Sequence, residues 1–202
     1  MARAVLLFLL FLLPLLSYHL TAAVTASGSG GPTDGLLRGN EKERLTRLRF
    51  YWHDTSAGPN PSAVLVAQSA TKSASSFGTV KVMDDPLTVG PNRSSLLVGK
   101  SQGIYVSADK DTSGLLMAMT FSFVVGKYNG STLAVVGRNE VKTHTREMAI
   151  TGGTGLLRFA TGYVQARTYS FDPTIGYTIV EYSCYFVTSP LKLTVPEYSH
   201  FI

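Results

Sequence analysis

Leu116-Met117-Ala118-Met119-Thr120-Phe121-Ser122-Phe123-Val124-Val125 is the stretch on which the fold turns. Successive side chains of a strand point to opposite faces, and here both the odd and the even positions carry apolar groups. Ile179-Val180 through Val187 reads the same way. An antiparallel sheet with one face in water shows a cleaner polar alternation, so these strands are covered on both sides. A barrel with a filled or ligand-holding interior, its outer face packed on another subunit, would do this. So would a well-packed sandwich, and the pattern alone leaves both open.

Working outward, Leu48, Phe50 and Trp52 alternate with Arg49, Tyr51 and His53. Strand patterns recur over residues 63–69, 78–82, 97–106, 132–139, 145–151, 156–168 and 177–187. Turn chemistry separates them at Gly58-Pro59-Asn60-Pro61, Asp84-Asp85-Pro86, Gly90-Pro91-Asn92, Asn129-Gly130, Gly152-Gly153-Thr154-Gly155 and Asp172-Pro173. About eight antiparallel strands with short connections predict an all-β sandwich or closed barrel. Strands do not alternate with helices, which excludes a parallel α/β sheet.

The chain has 202 residues, which suits a single domain. Its 45% hydrophobic content excludes a disordered polyampholyte. The net charge of +5 is spread along the chain rather than gathered on one stripe, so no nucleic-acid partner is expected. A single cysteine makes no intramolecular disulfide and no Cys-rich metal site. Arg3, the apolar run over residues 5–16 and the small residues Thr21-Ala22-Ala23 and Val24-Thr25-Ala26 have the parts of a secretory signal peptide. The run is shorter than the roughly 20 residues that span a bilayer, and no membrane span is expected. The predicted organisation is a signal peptide over residues 1–26, a Gly/Ser/Pro-rich leader over 27–45, a β-domain over 46–190 and a tail over 191–202. Export gives meaning to the glycosylation sequons at Asn92 and Asn129. Asn129-Gly130 is also a hairpin signal in its own right, and a glycosylated hairpin tip satisfies both readings.

Several motifs fail on spacing. Gly99-Lys100-Ser101 lacks the earlier glycine of a phosphate loop and has no helix behind it. His53, His144 and His200 lack ligand spacing, so no metal is expected, and no Gly-x-Ser-x-Gly elbow is present. Cys184, in an apolar strand, reads as a buried thiol. What remains is a set of polar residues within apolar strands: Asp54, on the face of Phe50 and Trp52, with Tyr105, Asn139 and Arg146. A carboxyl facing an apolar cavity has its pKa raised and can exchange protons near neutrality. Equally, Asp54 and Arg146 could form a structural ion pair or face water at strand ends.

Seven stretches, in order, resemble the plant dirigent protein family: Leu48-Arg49-Phe50-Tyr51-Trp52-His53-Asp54, Asp84-Asp85-Pro86-Leu87-Thr88, Gln102-Gly103-Ile104-Tyr105, Gly126-Lys127-Tyr128-Asn129-Gly130-Ser131, Gly137-Arg138-Asn139, Arg146-Glu147 and Gly152-Gly153-Thr154-Gly155. The resemblance implies a single-domain, eight-stranded antiparallel β-barrel of the dirigent and allene-oxide-cyclase type. It implies a homotrimer exported to the apoplast and cell wall, in phenylpropanoid and lignan metabolism and plant defence. Family members steer the coupling of phenoxy radicals from monolignols such as coniferyl alcohol. They use no cofactor of their own, and a laccase or peroxidase supplies the radicals. Some relatives instead cyclise a quinone methide, losing water, to give pterocarpans. A third role is a non-catalytic wall protein that binds phenolics or scaffolds lignin. The family's pocket residues fall on Asp54, Tyr105 and Arg146, with Phe50, Trp52 and Phe123 as apolar wall. Lignan-forming members carry a second acid where this chain has Asn139, which hydrogen-bonds but delivers no proton.

Overall fold

The computed structural model describes residues 45–70 and 73–188. The expected signal peptide, nearly all of the leader and the tail lie outside the described residues. Nine strands follow one another: β1 (Thr46–Thr55), β2 (Ala63–Ala67), β3 (Val80–Thr88), β4 (Leu97–Ser107), β5 (Gly114–Phe123), β6 (Thr132–Glu140), β7 (Arg146–Thr154), β8 (Thr161–Asp172) and β9 (Tyr177–Val187). Only 3-10 turns, Gly126–Tyr128 and Gly155–Leu157, interrupt the β-structure of the described residues.

Strands β3 to β9 form an antiparallel meander, and β1 pairs along its whole length with β9. The circle closes where β1 meets β3, with Tyr51 opposite Thr88 and Trp52 opposite Leu87. Eight strands therefore make the barrel, and the short β2 lies beside the other half of β3, Ala63 opposite Met83. The two-sided strand quoted above explains why a barrel forms. Met117, Met119, Phe121 and Phe123 point inward and are buried. Phe121 packs edge-on against Phe50 at 5.0 Å and Tyr182 at 5.3 Å between ring centroids. Burying each such ring stabilises the fold by roughly 1.5–3 kcal/mol. Cys184 is a fully buried free thiol, as its apolar strand suggested.

The other face of that strand joins an apolar row around the outside. Register places Val64 beside Val82, Val82 beside Ile104, Ile104 beside Ala118 and Ala118 beside Val136. The valines and isoleucine of this row are 39–45% exposed in the single chain.

Two turn readings are corrected. Asp84-Asp85-Pro86 is not a turn: β3 runs straight through it. Pro86 is tolerated because the neighbour of β3 changes there, from β2 up to Met83 to β1 from Leu87. No ladder donor is needed on that side in the gap. Gly152-Gly153-Thr154 likewise belongs to β7, and the reversal falls after it at Gly155.

Candidate active site

One end of the barrel gathers the polar residues. The alternating strand directions bring the last residues of β1, β4, β6 and β8 beside the first residues of β5, β7 and β9. Asp54 lies opposite Thr178, Tyr105 opposite Met117, Leu115 opposite Asn139 and Arg146 opposite Ala166. These register positions converge on a cavity of about 90 Å³ lined by Trp52, Asp54, Tyr105, Asn139 and Arg146, with Leu115, Met117 and Val180 as apolar wall. A wider mouth of about 540 Å³ adjoins it, sharing Arg146, Thr168 and Thr178 and bounded by residues of the β6–β7 loop and Phe171.

Within it the groups pair in a definite way. The Tyr105 hydroxyl donates to Asp54 Oδ2 at 3.1 Å, and Asp54 Oδ1 is buried without a partner. Burial raises the Asp54 pKa; the Tyr105 hydrogen bond and the charge of Lys81 offset part of that rise. Tyr105 is itself pushed far above its ordinary value, first by burial and then by the Asp54 charge, so it stays a hydroxyl donor. Arg146 is only 4% exposed. Its Nε donates to Asn139 Oδ1 at 3.0 Å and its Nη1 to the Thr143 carbonyl at 3.4 Å. Among the described residues it makes no ion pair, so the alternative of an Asp54–Arg146 salt bridge does not hold. Burial lowers the Arg146 pKa, though a guanidinium starts high enough to remain a cation. The arrangement offers a carboxyl that burial inclines to hold its proton, a phenol donor and a cation with no counter-ion among the described residues, all in an apolar chamber.

Five of the seven pocket residues named from sequence therefore meet: Asp54, Tyr105, Arg146, Asn139 and Trp52. Phe50 and Phe123 do not line the cavity. They stack in the aromatic core with Phe121 and Tyr182, because their inward positions fall nearer the middle of the barrel. Asn92 and Asn129 are exposed on the β3–β4 and β5–β6 connections. No group of His, Cys, Asp and Glu suited to a metal ion occurs among the described residues. His53 is fully buried, held between the Tyr177 hydroxyl and Thr88 Oγ1, each at 2.6 Å. Sequence reasoning missed Asp85, which is fully buried and whose pKa is pushed up to about 8, mainly by burial and next by the Asp54 charge. Its signal was hidden because Asp-Asp-Pro reads as a turn.

Comparison with known proteins gives a uniform result. The family model described as Dirigent-like protein matches residues 45–187. Pterocarpan synthase 1 of Glycine max is 51% identical over 169 residues, covering 82% of this chain and 90% of that one. Pterocarpan synthase 1 of Glycyrrhiza echinata is 48% identical, covering 92% and 98%. Dirigent protein 21 of Arabidopsis thaliana is 47% identical, covering 89% and 97%. Among solved structures, a pterocarpan synthase dirigent protein superposes with a TM-score of 0.69 at 51% identity, over 74% of this chain and 87% of that one.

Proposed function

Because the chain belongs to the plant dirigent family, we propose that its barrel closes a ring on a phenolic quinone methide with loss of water, the pterocarpan-forming type of reaction, rather than coupling two monolignol radicals. The observation that carries this reading is the Asp54–Tyr105 pair at the wall of an apolar cavity. Radical coupling asks only for orientation. Expelling a hydroxyl asks for an acid, and burial keeps the Asp54 carboxyl inclined to hold its proton. The names of the relatives at 51% and 48% identity support the same choice. Asn139, in place of a second acid, fits a pocket that works with one proton donor.

The substrate class is a phenol bearing a benzylic hydroxyl and a second phenol within reach. Asp54 gives its proton to the benzylic oxygen, the C–O bond breaks and water leaves. The first phenol passes its proton to solvent at the wider mouth as its ring becomes the quinone methide, and Arg146 holds the resulting carbonyl oxygen. The second phenol then attacks the exocyclic carbon and returns a proton to Asp54 as the new C–O bond forms. That attack restores the aromatic ring as a phenolate, whose charge Arg146 holds until solvent returns the proton lost earlier. The sum is loss of one water, with no oxidant, no cofactor and no laccase. The apolar wall excludes solvent water, the competing nucleophile.

The outer apolar row suits burial against further copies of the chain, and the assembly in this reading is the family's homotrimer. The mature protein, freed of residues 1–26, works in the apoplast. The test is an incubation without oxidant, followed by chiral chromatography. A single enantiomer of the ring-closed product, lighter by one water, is expected. With laccase and coniferyl alcohol, the protein should leave the coupled products racemic. The opposite pair of results assigns the protein to radical coupling.

A further inference from the structure

Among the described residues, three buried side-chain polar atoms lack a hydrogen-bond partner: Trp52 Nε1, Asp54 Oδ1 and Asp85 Oδ2. They belong to one seam. Tyr51 lies opposite Thr88 and Trp52 opposite Leu87 across β1 and β3. The β1–β3 ladder ends there, and Ser62 fills the space beyond it, bonded to Thr55 and to the Asp84 N–H. Continued two residues past that end, the register points Asp54 toward Asp85 on the inward face, since side chains repeat with period two. The Asp54 charge is one cause of the rise in Asp85, while the Trp52 indole N–H acts to lower it without forming a hydrogen bond of normal geometry. The other oxygen of Asp85 accepts from Ser62 Oγ at 2.5 Å. Among the described residues no ion pair reaches either acid. Two carboxylates facing each other across adjacent buried strands repel, and one proton between them removes the conflict.

We propose that Asp85 is a positioning residue for Asp54: the two carboxyls share one proton across the β1–β3 seam, beside the Trp52 N–H, and that proton keeps the acid of the pocket supplied. Asp85 does not line the cavity and does not touch substrate. When Asp54 passes that proton to the benzylic oxygen, both carboxyls are charged for a moment, and the Tyr105 hydroxyl on Asp54, Ser62 Oγ on Asp85 and the nearby Trp52 N–H are the donors that face them. When the attacking phenol returns its proton, the pair is restored. This catalytic part rests on the ring-closing function proposed above; the shared proton does not.

The other titratable groups around Asp85 are Asp84 on its own strand, Tyr105 on β4 and Tyr182 on β9. Asp84 faces outward and is held below its ordinary value, first by Lys100. Both tyrosines are raised well above theirs, first by burial. Lys81 acts on Asp54. Asp85, near 8, lies between Asp84 below it and the two tyrosines above it.

Trp52 is the single tryptophan of the chain and lies beside the pair, so its fluorescence reports the titration. The wild-type emission should change in a step centred near pH 8. Asp85→Asn should abolish the step, and Asp54→Asn should move it to lower pH by removing the opposing charge. A step that survives Asp85→Asn, or stays in place in Asp54→Asn, overturns the proposal. If Asp85→Asn fails to fold, wild-type protein with ¹³C-labelled aspartate carries the test: one buried carboxyl must titrate near pH 8, and none doing so is equally fatal. In the ring-closure assay Asp85→Asn should lower kcat by about tenfold or more with KM kept. An unchanged kcat and pH profile contradicts the positioning role. A wild-type step near pH 8 in a protein that closes no ring supports the shared proton and sinks the ring-closing function instead.

Discussion

Asp54 keeps a hydroxyl partner on one oxygen and none on the other, in a wall that disfavours its charge. Asp54→Asn removes the proton and leaves the shape, so the melting temperature should hold while ring closure slows by about 10²–10⁴-fold. Tyr105→Phe should cost less, because it takes away one donor and no charge, whereas Arg146→Leu should cost more than Tyr105→Phe. Steady-state kinetics on the three variants checks this order. Asp85 makes a separate prediction about stability. Its folded pKa of about 8 lies above the ordinary 3.8, so the folded state binds the extra proton. The stability this contributes is fully present below about pH 4 and is lost as pH rises to about 8. The loss is on the order of 6 kcal/mol at most, since each unit is about 1.4 kcal/mol. Denaturant unfolding should show wild-type weaker at pH 9 than at pH 5, with Asp85→Asn nearly flat between them. Equal slopes for the two would mean that Asp85 is not the responsible group. Asp54 was legible in the sequence because it closes an alternating aromatic strand. Asp85 was not, because proline beside two acids is common in turns and only tertiary pairing makes it a strand.

At the scale of elements, β3 shows why local chemistry misleads. A strand that serves two partners in succession has a gap between them, and Pro86 occupies it at no cost in hydrogen bonds. His53 staples the same seam from outside. Thr88 Oγ1 donates to the Gly90 carbonyl, so His53 Nε2–H donates to Thr88 and the Tyr177 hydroxyl donates to Nδ1. A neutral imidazole with both nitrogens engaged is structural, which agrees with the absence of ligand spacing around it. Strand β4 carries a sharp glycine requirement. Gly103 has φ of +152°, and a Cβ there would stand 2.2 Å from the Ala118 carbonyl oxygen. It lies two residues before Tyr105 on the same face, letting β4 coil closely onto β5. Gly103→Ala should therefore destabilise by at least about 1–3 kcal/mol from the backbone alone. Chemical denaturation measures it directly, and a loss under about 0.5 kcal/mol, the scatter of ordinary surface substitutions, would contradict the close approach.

For the whole molecule, alternation and turn spacing left barrel and sandwich open, and the resemblance of ordered motifs chose the barrel. The structure supplies the physical reason: one strand face fills the interior and the other forms a continuous apolar row that a single chain leaves exposed. Light scattering at micromolar concentration should give three times the chain mass, and Ile104→Lys or Val136→Lys should lower it. A wild-type monomer would leave the row without its proposed cover. Alternation and spacing alone did not show which polar residues meet; the resemblance named Asp54, Tyr105 and Arg146 as one pocket, and register across the sheet is what brings them together with Asn139. The most direct test of the whole account is one assay: the initial rate and enantiomeric excess of ring-closed product, without oxidant, for wild-type and Asp54→Asn side by side. Wild-type should give a single enantiomer with one water lost, and Asp54→Asn only the slow racemic background. Equal rates and equal chirality from the two proteins, or no product from wild-type until an oxidant is added, would contradict it.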